Sequence, residues 1–137
     1  MSPDLTHLNC RNTQLTSLDL SNNTALETLY SENNEFTSLD VSANTSLTVL
    51  GCTNNQLTSL DVSSNTALEL LYANHNDLAS LDLSNNTALT LIYCQSNQLI
   101  HLNMKNGVTD QLATFNATAN SLDCIEVNEE DIAWATE

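Results

Sequence analysis

A period of 21 residues governs this chain. From Leu26 the text reads LETLYSENNEFTSLDVSANTSL, from Leu47 LTVLGCTNNQLTSLDVSSNTAL, from Leu68 LELLYANHNDLASLDLSNNTAL and from Leu89 LTLIYCQSNQLIHLNM. Each repeat is itself double, because its second half echoes its first. A unit this short cannot bury an apolar face alone, so successive copies must stack and share one continuous core. Any function then resides in columns of surface residues, one per turn, rather than in an isolated motif.

Aligning the turns gives the inward columns. One runs Leu8, Leu29, Leu50, Leu71, Ile92 and, after a two-residue insertion, Phe115; a small-residue column two positions on runs Cys10, Ser31, Cys52, Ala73, Cys94, Ala117. The second half supplies Leu18, Leu39, Leu60, Leu81, Leu102, Ile125 and then Leu20, Val41, Val62, Leu83, Met104, Val127. Apolar residues at spacing two describe short strands whose alternate side chains face outward. No turn has the length or period for a full helix.

Each half closes on asparagine: Asn34, Asn55, Asn76, Asn97 and Asn120 after the first strand, Asn23, Asn44, Asn65 and Asn86 after the second. Asparagine tolerates tight-turn geometry, and its amide can satisfy corner backbone groups or bond to its neighbours along the stack. The N-x-S/T matches at Asn22, Asn44, Asn85 and Asn116 fall out of the same repeat text and need no reading as glycosylation sites.

The segments LETLYSENNEF and LELLYANHNDL resemble the leucine-rich repeat, LxxLxLxxNxL. The nested form, with the strand-like LTSLDLSNNTAL from Leu15 in place of a helix, is similar to the short bacterial variant called the IRREKO class. The terminal text LDCIEVNEEDIAWAT from Leu122 is similar to the closing segment of leucine-rich proteins in the Flavobacteria and relatives, often exported to the cell surface. The resemblance implies a right-handed solenoid, mostly β, with short parallel strands on two sides and little or no helix. It implies one domain over residues 1–137 of about six turns, and an extracellular or cell-surface location. Residues 103–114 break the repeat as an irregular insertion. The segment 128–137, with Ile132 and Trp134 among acids, reads as a C-terminal cap.

Composition narrows the partners. With 2 glycines and 1 proline the chain is no glycine-rich calcium-loop β-helix. Its net charge is −15, with Arg11 and Lys105 as the fixed cations, and such a surface repels phosphate backbones and anionic lipid headgroups. Nucleic acid is therefore excluded as a partner, and no apolar run approaches the roughly 18 residues of a membrane span. The repeat is already running at Leu5 without an atypical first turn. The chain thus reads as a section of a longer one, open to end-to-end association through that turn.

Three outward surfaces are candidates. The first-strand face carries Tyr30, Tyr72 and Tyr93 in one column, with Glu32, Asn54, Asn74, His75 and Gln95 beside it. Tyrosine supplies rigid area and a hydroxyl, which suits a protein or carbohydrate ligand; the alternative is simple stacking that stabilises the sheet. The second face stacks Asp19, Asp40, Asp61 and Asp82, a weak calcium candidate that lacks a surrounding oxygen cage. A third column, Thr24, Thr45, Thr66 and Thr87, resembles the flat arrays of ice-binding solenoids, although these threonines are expected to bond to the corner backbone.

Chemistry is nearly excluded. Cys10, Cys52 and Cys94 lie two turns apart, about 9–10 Å by strand spacing, beyond the roughly 7 Å a disulfide allows; they read as free, buried, small apolar groups, and Cys124 as a free thiol. Cys124 and His101 share a column one turn apart, but no orienting third group or pocket accompanies them, so the chain is expected not to be an enzyme and to need no cofactor. The leading expectation is a non-catalytic binding module of an exported bacterial surface protein. The alternatives are a structural spacer or, further off, an ice-binding solenoid.

Overall fold

The structure, a computed structural model, describes residues 2–129 and is a solenoid of about six turns built from short parallel strands. On the first side stand β1 (His7–Asn9), β2 (Thr28–Tyr30), β3 (Val49–Gly51), β4 (Leu70–Tyr72), β6 (Leu91–Tyr93) and β8 (Thr114–Asn116). They form one six-stranded sheet in that order. The register follows the repeat: Leu8 pairs with Leu29, Leu29 with Leu50, Leu50 with Leu71, Leu71 with Ile92 and Ile92 with Phe115. Helix is nearly absent among the described residues, the 3-10 turn Thr109–Gln111 being the element that interrupts the stack. No helix among them is long and apolar enough to cross a membrane.

The second side is less regular than the repeat implies. Its strands are β5 (Ser80–Asp82), β7 (His101–Asn103) and β9 (Cys124–Glu126), one three-stranded parallel sheet. The equivalent segments of earlier turns, around Leu18, Leu39 and Leu60, form no ladder although their text is nearly identical. Where ladder bonds are missing, shallow grooves open between turns, one of about 290 Å³ between Asp61 and Asp82.

The core is the stack of apolar columns. Leu26, Leu29, Leu47, Leu50, Leu68, Leu71, Phe36, Leu57 and Leu78 have no exposed surface, and each such side chain contributes about 1.5–3 kcal/mol through removal from water. In the first turn Leu5, Leu8, Leu15 and Leu18 have a neighbouring turn on one side and are only half-buried. Cys10 is half-buried for the same reason, against the expectation that all three small-column cysteines are buried.

Asparagine holds the corners, chiefly through backbone rather than through neighbouring asparagines. Asn76 is typical of the first side: its Nδ2 donates to the carbonyls of Cys52 and Ala73 at 3.0 and 3.2 Å, and its Oδ1 accepts from the Leu57 N–H at 3.0 Å. Every buried amide there links two turns. On the second side Asn44, Asn65 and Asn86 donate to carbonyls of the preceding turn, but their Oδ1 atoms are buried without a partner. That ladder continues to Asn106, whose Nδ2 reaches the Asn86 carbonyl at 3.4 Å.

From the second turn on, the left-handed residue lies one place before the corner asparagine, as His75 does before Asn76; in the first turn Asn12 precedes Thr13, and Gln14 is left-handed as well. Asn12, Asn33, Asn54, His75, Ser96 and Ala119 all have φ between 53° and 57°. The irregular segment after β7 packs inward: Thr109 is buried and its hydroxyl donates to the Met104 carbonyl at 3.1 Å, while Gly107 takes φ +74°. The cap expected at 128–137, including Ile132 and Trp134, lies outside the described residues beyond Glu129.

Candidate functional site

The six-stranded sheet turns three stripes outward. The half-exposed aliphatic stripe is Val49, Leu70 and Leu91. Beside it runs the tyrosine column, and beyond that an amide column through Asn74 and Gln95. Parallel strands about 4.8 Å apart bring side chains of adjacent turns into contact. Tyr72 and Tyr93 accordingly stack, with ring centroids 5.7 Å apart and planes 18° from parallel. Thr53 Oγ1 donates to Asn74 Oδ1 at 2.7 Å, and Asn54 Nδ2 to Asn33 Oδ1 at 2.8 Å. Gln95 Oε1 is buried beside the tyrosines and has no hydrogen-bond partner.

Tyr30 is placed differently from the other two. Gly51 interrupts the column between Tyr30 and Tyr72, and the Glu32 carboxylate occupies the space this leaves. Arg11 spans the turn boundary to reach it: Nε donates to Glu32 Oε2 at 2.7 Å and an Nη to Oε1 at 2.8 Å. The guanidinium carbon then lies 3.8 Å from the centre of the Tyr30 ring. Hydrogen bonding to Glu32 raises the Arg11 pKa further. The structure therefore brings together Tyr72, Tyr93, Asn74, His75, Gln95 and Asn54 as a neutral platform, and sets Tyr30 and Glu32 apart under an arginine clamp. Sequence reading missed Arg11 and Gly51; the signal available was the one glycine in an otherwise tyrosine- and asparagine-bearing column.

Charge separates this face from the rest of the molecule. Of the chain's 17 acidic residues, Glu32 alone falls in the four outward columns that begin at His7, Asn9, Arg11 and Asn12, and Arg11 neutralises it. Exposed acids flank the face on both sides, Glu27 and Glu69 before it and Glu35 and Asp77 after it.

The aspartate column is organised internally. Asp19, Asp40, Asp61 and Asp82 each accept, on Oδ1, the backbone N–H of the serine two residues on, at 2.9–3.0 Å. Ser21 and Ser42 add their hydroxyls at 2.7 Å. Serine side-chain and backbone hydrogen bonds hold all four carboxyls below the ordinary carboxylate range. Among the described residues no three His, Cys, Asp or Glu side chains converge as a metal set would require. The Thr24, Thr45, Thr66 and Thr87 side chains are exposed and make no hydrogen bond within the described residues, so they do not bond to the corner backbone as expected.

No protein-family model matches the sequence, and no curated protein is similar to it by sequence. Solved structures do share the fold. A leucine-rich-repeat protein of Leptospira interrogans is 24% identical with a TM-score of 0.80, over 90% of this chain and 34% of that one. The leucine-rich-repeat ectodomain of the receptor kinase SOBIR1 from Arabidopsis thaliana is 21% identical with a TM-score of 0.72, over 88% of this chain and 72% of that one. The LRIM1/APL1C complex contains a chain 19% identical with a TM-score of 0.70, over 91% of this chain and 29% of that one. This chain thus spans about a third or less of the length of the first and third of these and most of the second. At such identities the likeness establishes a leucine-rich-repeat architecture.

Proposed function

We propose that the chain is a non-catalytic binding module that takes a protein or glycan ligand through the Tyr72–Tyr93 platform, in an exported or cell-surface protein of bacterial type. The observation that carries this reading is the neutral, aromatic and amide-rich face on a molecule of net charge −15. A surface kept free of the acidity that covers the other sides can be desolvated against a partner without burying unpaired charge. Tyr72 and Tyr93 supply the rigid area, and the Asn74 and Gln95 side chains of the neighbouring column flank it. Two solved structures of the same fold support a contact role: one is the ectodomain of a receptor kinase and the other a two-protein complex.

The test compares the wild-type chain with a Tyr72→Ala/Tyr93→Ala variant on an array of bacterial and host glycans and surface proteins. Binders retained by the wild type and lost by the variant support the platform; equal binding by both removes it. A second reading, ordered water on the threonine column, is favoured by those unpaired hydroxyls. Thermal-hysteresis measurement on the intact chain decides it.

A further inference from the structure

Outside the platform, the second sheet brings two reactive groups together. Strand pairing places Ser80, His101 and Cys124 in one outward column across β5, β7 and β9. His101 and Cys124 are both exposed, and His101 Nδ1 lies 3.4 Å from Cys124 Sγ. The other thiols are differently placed. Burial pushes Cys52 and Cys94 up to about 12. Cys10 is raised by burial and by the nearby Glu32 carboxylate, and its Sγ donates to the Tyr30 carbonyl at 3.5 Å. One thiol of the four therefore combines access with an imidazole in contact.

We propose that His101 and Cys124 form a surface dyad that makes Cys124 the covalent modification site of this chain, by exchange with an incoming disulfide. The thiolate is the nucleophilic form of cysteine, and a neighbouring imidazole promotes it by accepting the proton. In the step, His101 Nδ1 takes the Sγ–H proton and the Cys124 sulfur attacks one sulfur of the incoming disulfide R–S–S–R. The R–S–S–R bond breaks, a Cys124–S–S–R bond forms, and the departing R–S⁻ recovers the proton from the imidazolium. No net oxidant is needed, because the incoming disulfide is reduced as Cys124 is oxidised. Ser80, His101 and Cys124 are all exposed, so the column faces solvent. Among the described residues, the charged groups on and beside these strands are Asp82 on β5, Asp123 next to Cys124 in the chain, and Glu126, whose carboxylate is bound by the Lys105 ammonium at 2.7 Å. The site would couple the module to a disulfide-bearing protein, or to a small disulfide, without using the tyrosine face.

The experiment follows the reaction of the folded, reduced chain with dithionitrobenzoate, an aromatic disulfide whose leaving thiolate is coloured. One thiol per chain should react in a fast phase, and Cys124→Ser should remove that phase. His101→Asn should slow it roughly tenfold at neutral pH, and the gap between the two rates should narrow in strong alkali, where hydroxide replaces the imidazole as base. A fast phase that survives Cys124→Ser, or a neutral-pH rate unchanged by His101→Asn, overturns the proposal.

Discussion

The Glu32 carboxylate sits where a side chain on Gly51 would be. A Cβ built at 51 would stand 2.7 Å from Glu32 Cδ and closer still to Oε1, so the missing side chain of one turn is what allows the ion pair of the two turns before it. Gly51 is buried with an ordinary strand backbone, and its role is space rather than conformational freedom.

Gly51→Ala should therefore act through Glu32. The carboxylate must swing away, which separates it from Arg11 and uncovers Tyr30. Arg11 is about a third exposed, at 37% of its side-chain surface, so the pair itself is worth no more than about 1 kcal/mol. The informative quantity is the coupling. Gly51→Ala and Glu32→Gln should be non-additive by about 0.5–1 kcal/mol in urea unfolding, because the second change removes what the first one strains. Additive effects would show that the clamp is indifferent to position 51.

How much of this was legible beforehand divides along the same line. The columns through Leu29, Leu50 and Leu71 and the first-side strands follow from alternation and period, since stacking identical turns leaves the core no other register. The tyrosine column was legible too. The Arg11–Glu32–Gly51 arrangement was not, because it depends on where long side chains turn between layers, and a one-dimensional alignment sees each column separately. The missing ladder around Leu39 and Leu60 was equally invisible: SLDV and SLDL read alike whether or not the backbone closes to hydrogen-bonding distance. Asparagine was assigned to the right corners but with the wrong division of labour. From the second turn on, the residue with positive φ is the one before the corner asparagine, and in three turns it is not asparagine at all.

Those three positions give a stability prediction. His75, Ser96 and Ala119 adopt φ of 54°, 56° and 53°, a region disfavoured for L-residues by about 1–2 kcal/mol and least so for glycine and asparagine. Ala119→Gly and His75→Asn should each stabilise the fold by roughly 0.5–1 kcal/mol, seen as a higher urea midpoint at unchanged slope. His75 stands on the platform, so a gain in stability accompanied by weaker ligand capture would mark it as a strained functional residue.

The two asparagine ladders should respond unequally to truncation. Asn76→Ala leaves the Leu57 N–H and the Cys52 and Ala73 carbonyls without that partner, whereas Asn65→Ala removes donors to the Val41 and Asn44 carbonyls and deletes an Oδ1 that already lacks one. Each buried group left unpaired costs about 1–3 kcal/mol. The Cys52 and Ala73 carbonyls keep the Asn55 and Asn97 amides as donors, and the Val41 and Asn44 carbonyls keep the Asn44 and Leu47 N–H groups. The Leu57 N–H is the group orphaned, so Asn76→Ala should destabilise by about 1–3 kcal/mol more than Asn65→Ala, a ranking that equilibrium unfolding of the two variants measures directly. Equal losses would mean that the unpaired Oδ1 atoms gain an interaction elsewhere.

The aspartate–serine corners predict a pH dependence. Folding lowers the carboxyl pKa of Asp40, first through the Ser42 hydroxyl and then through its N–H, so the unfolded chain binds the proton more readily. The stability this provides is fully present above the unfolded aspartate value of about 3.9 and is lost as pH falls through the lower folded value. Mutual repulsion among the chain's acids has the opposite sign, since acid relieves it, and comparing variants cancels that background. Ser42→Ala removes the hydroxyl bond of 2.7 Å and keeps the backbone one. The difference in unfolding free energy between wild type and Ser42→Ala should be largest at neutral pH and shrink below about pH 4 as Asp40 protonates. A difference that stays constant from neutral pH to pH 2 would show that the serine acts on the turn backbone instead of on the carboxylate.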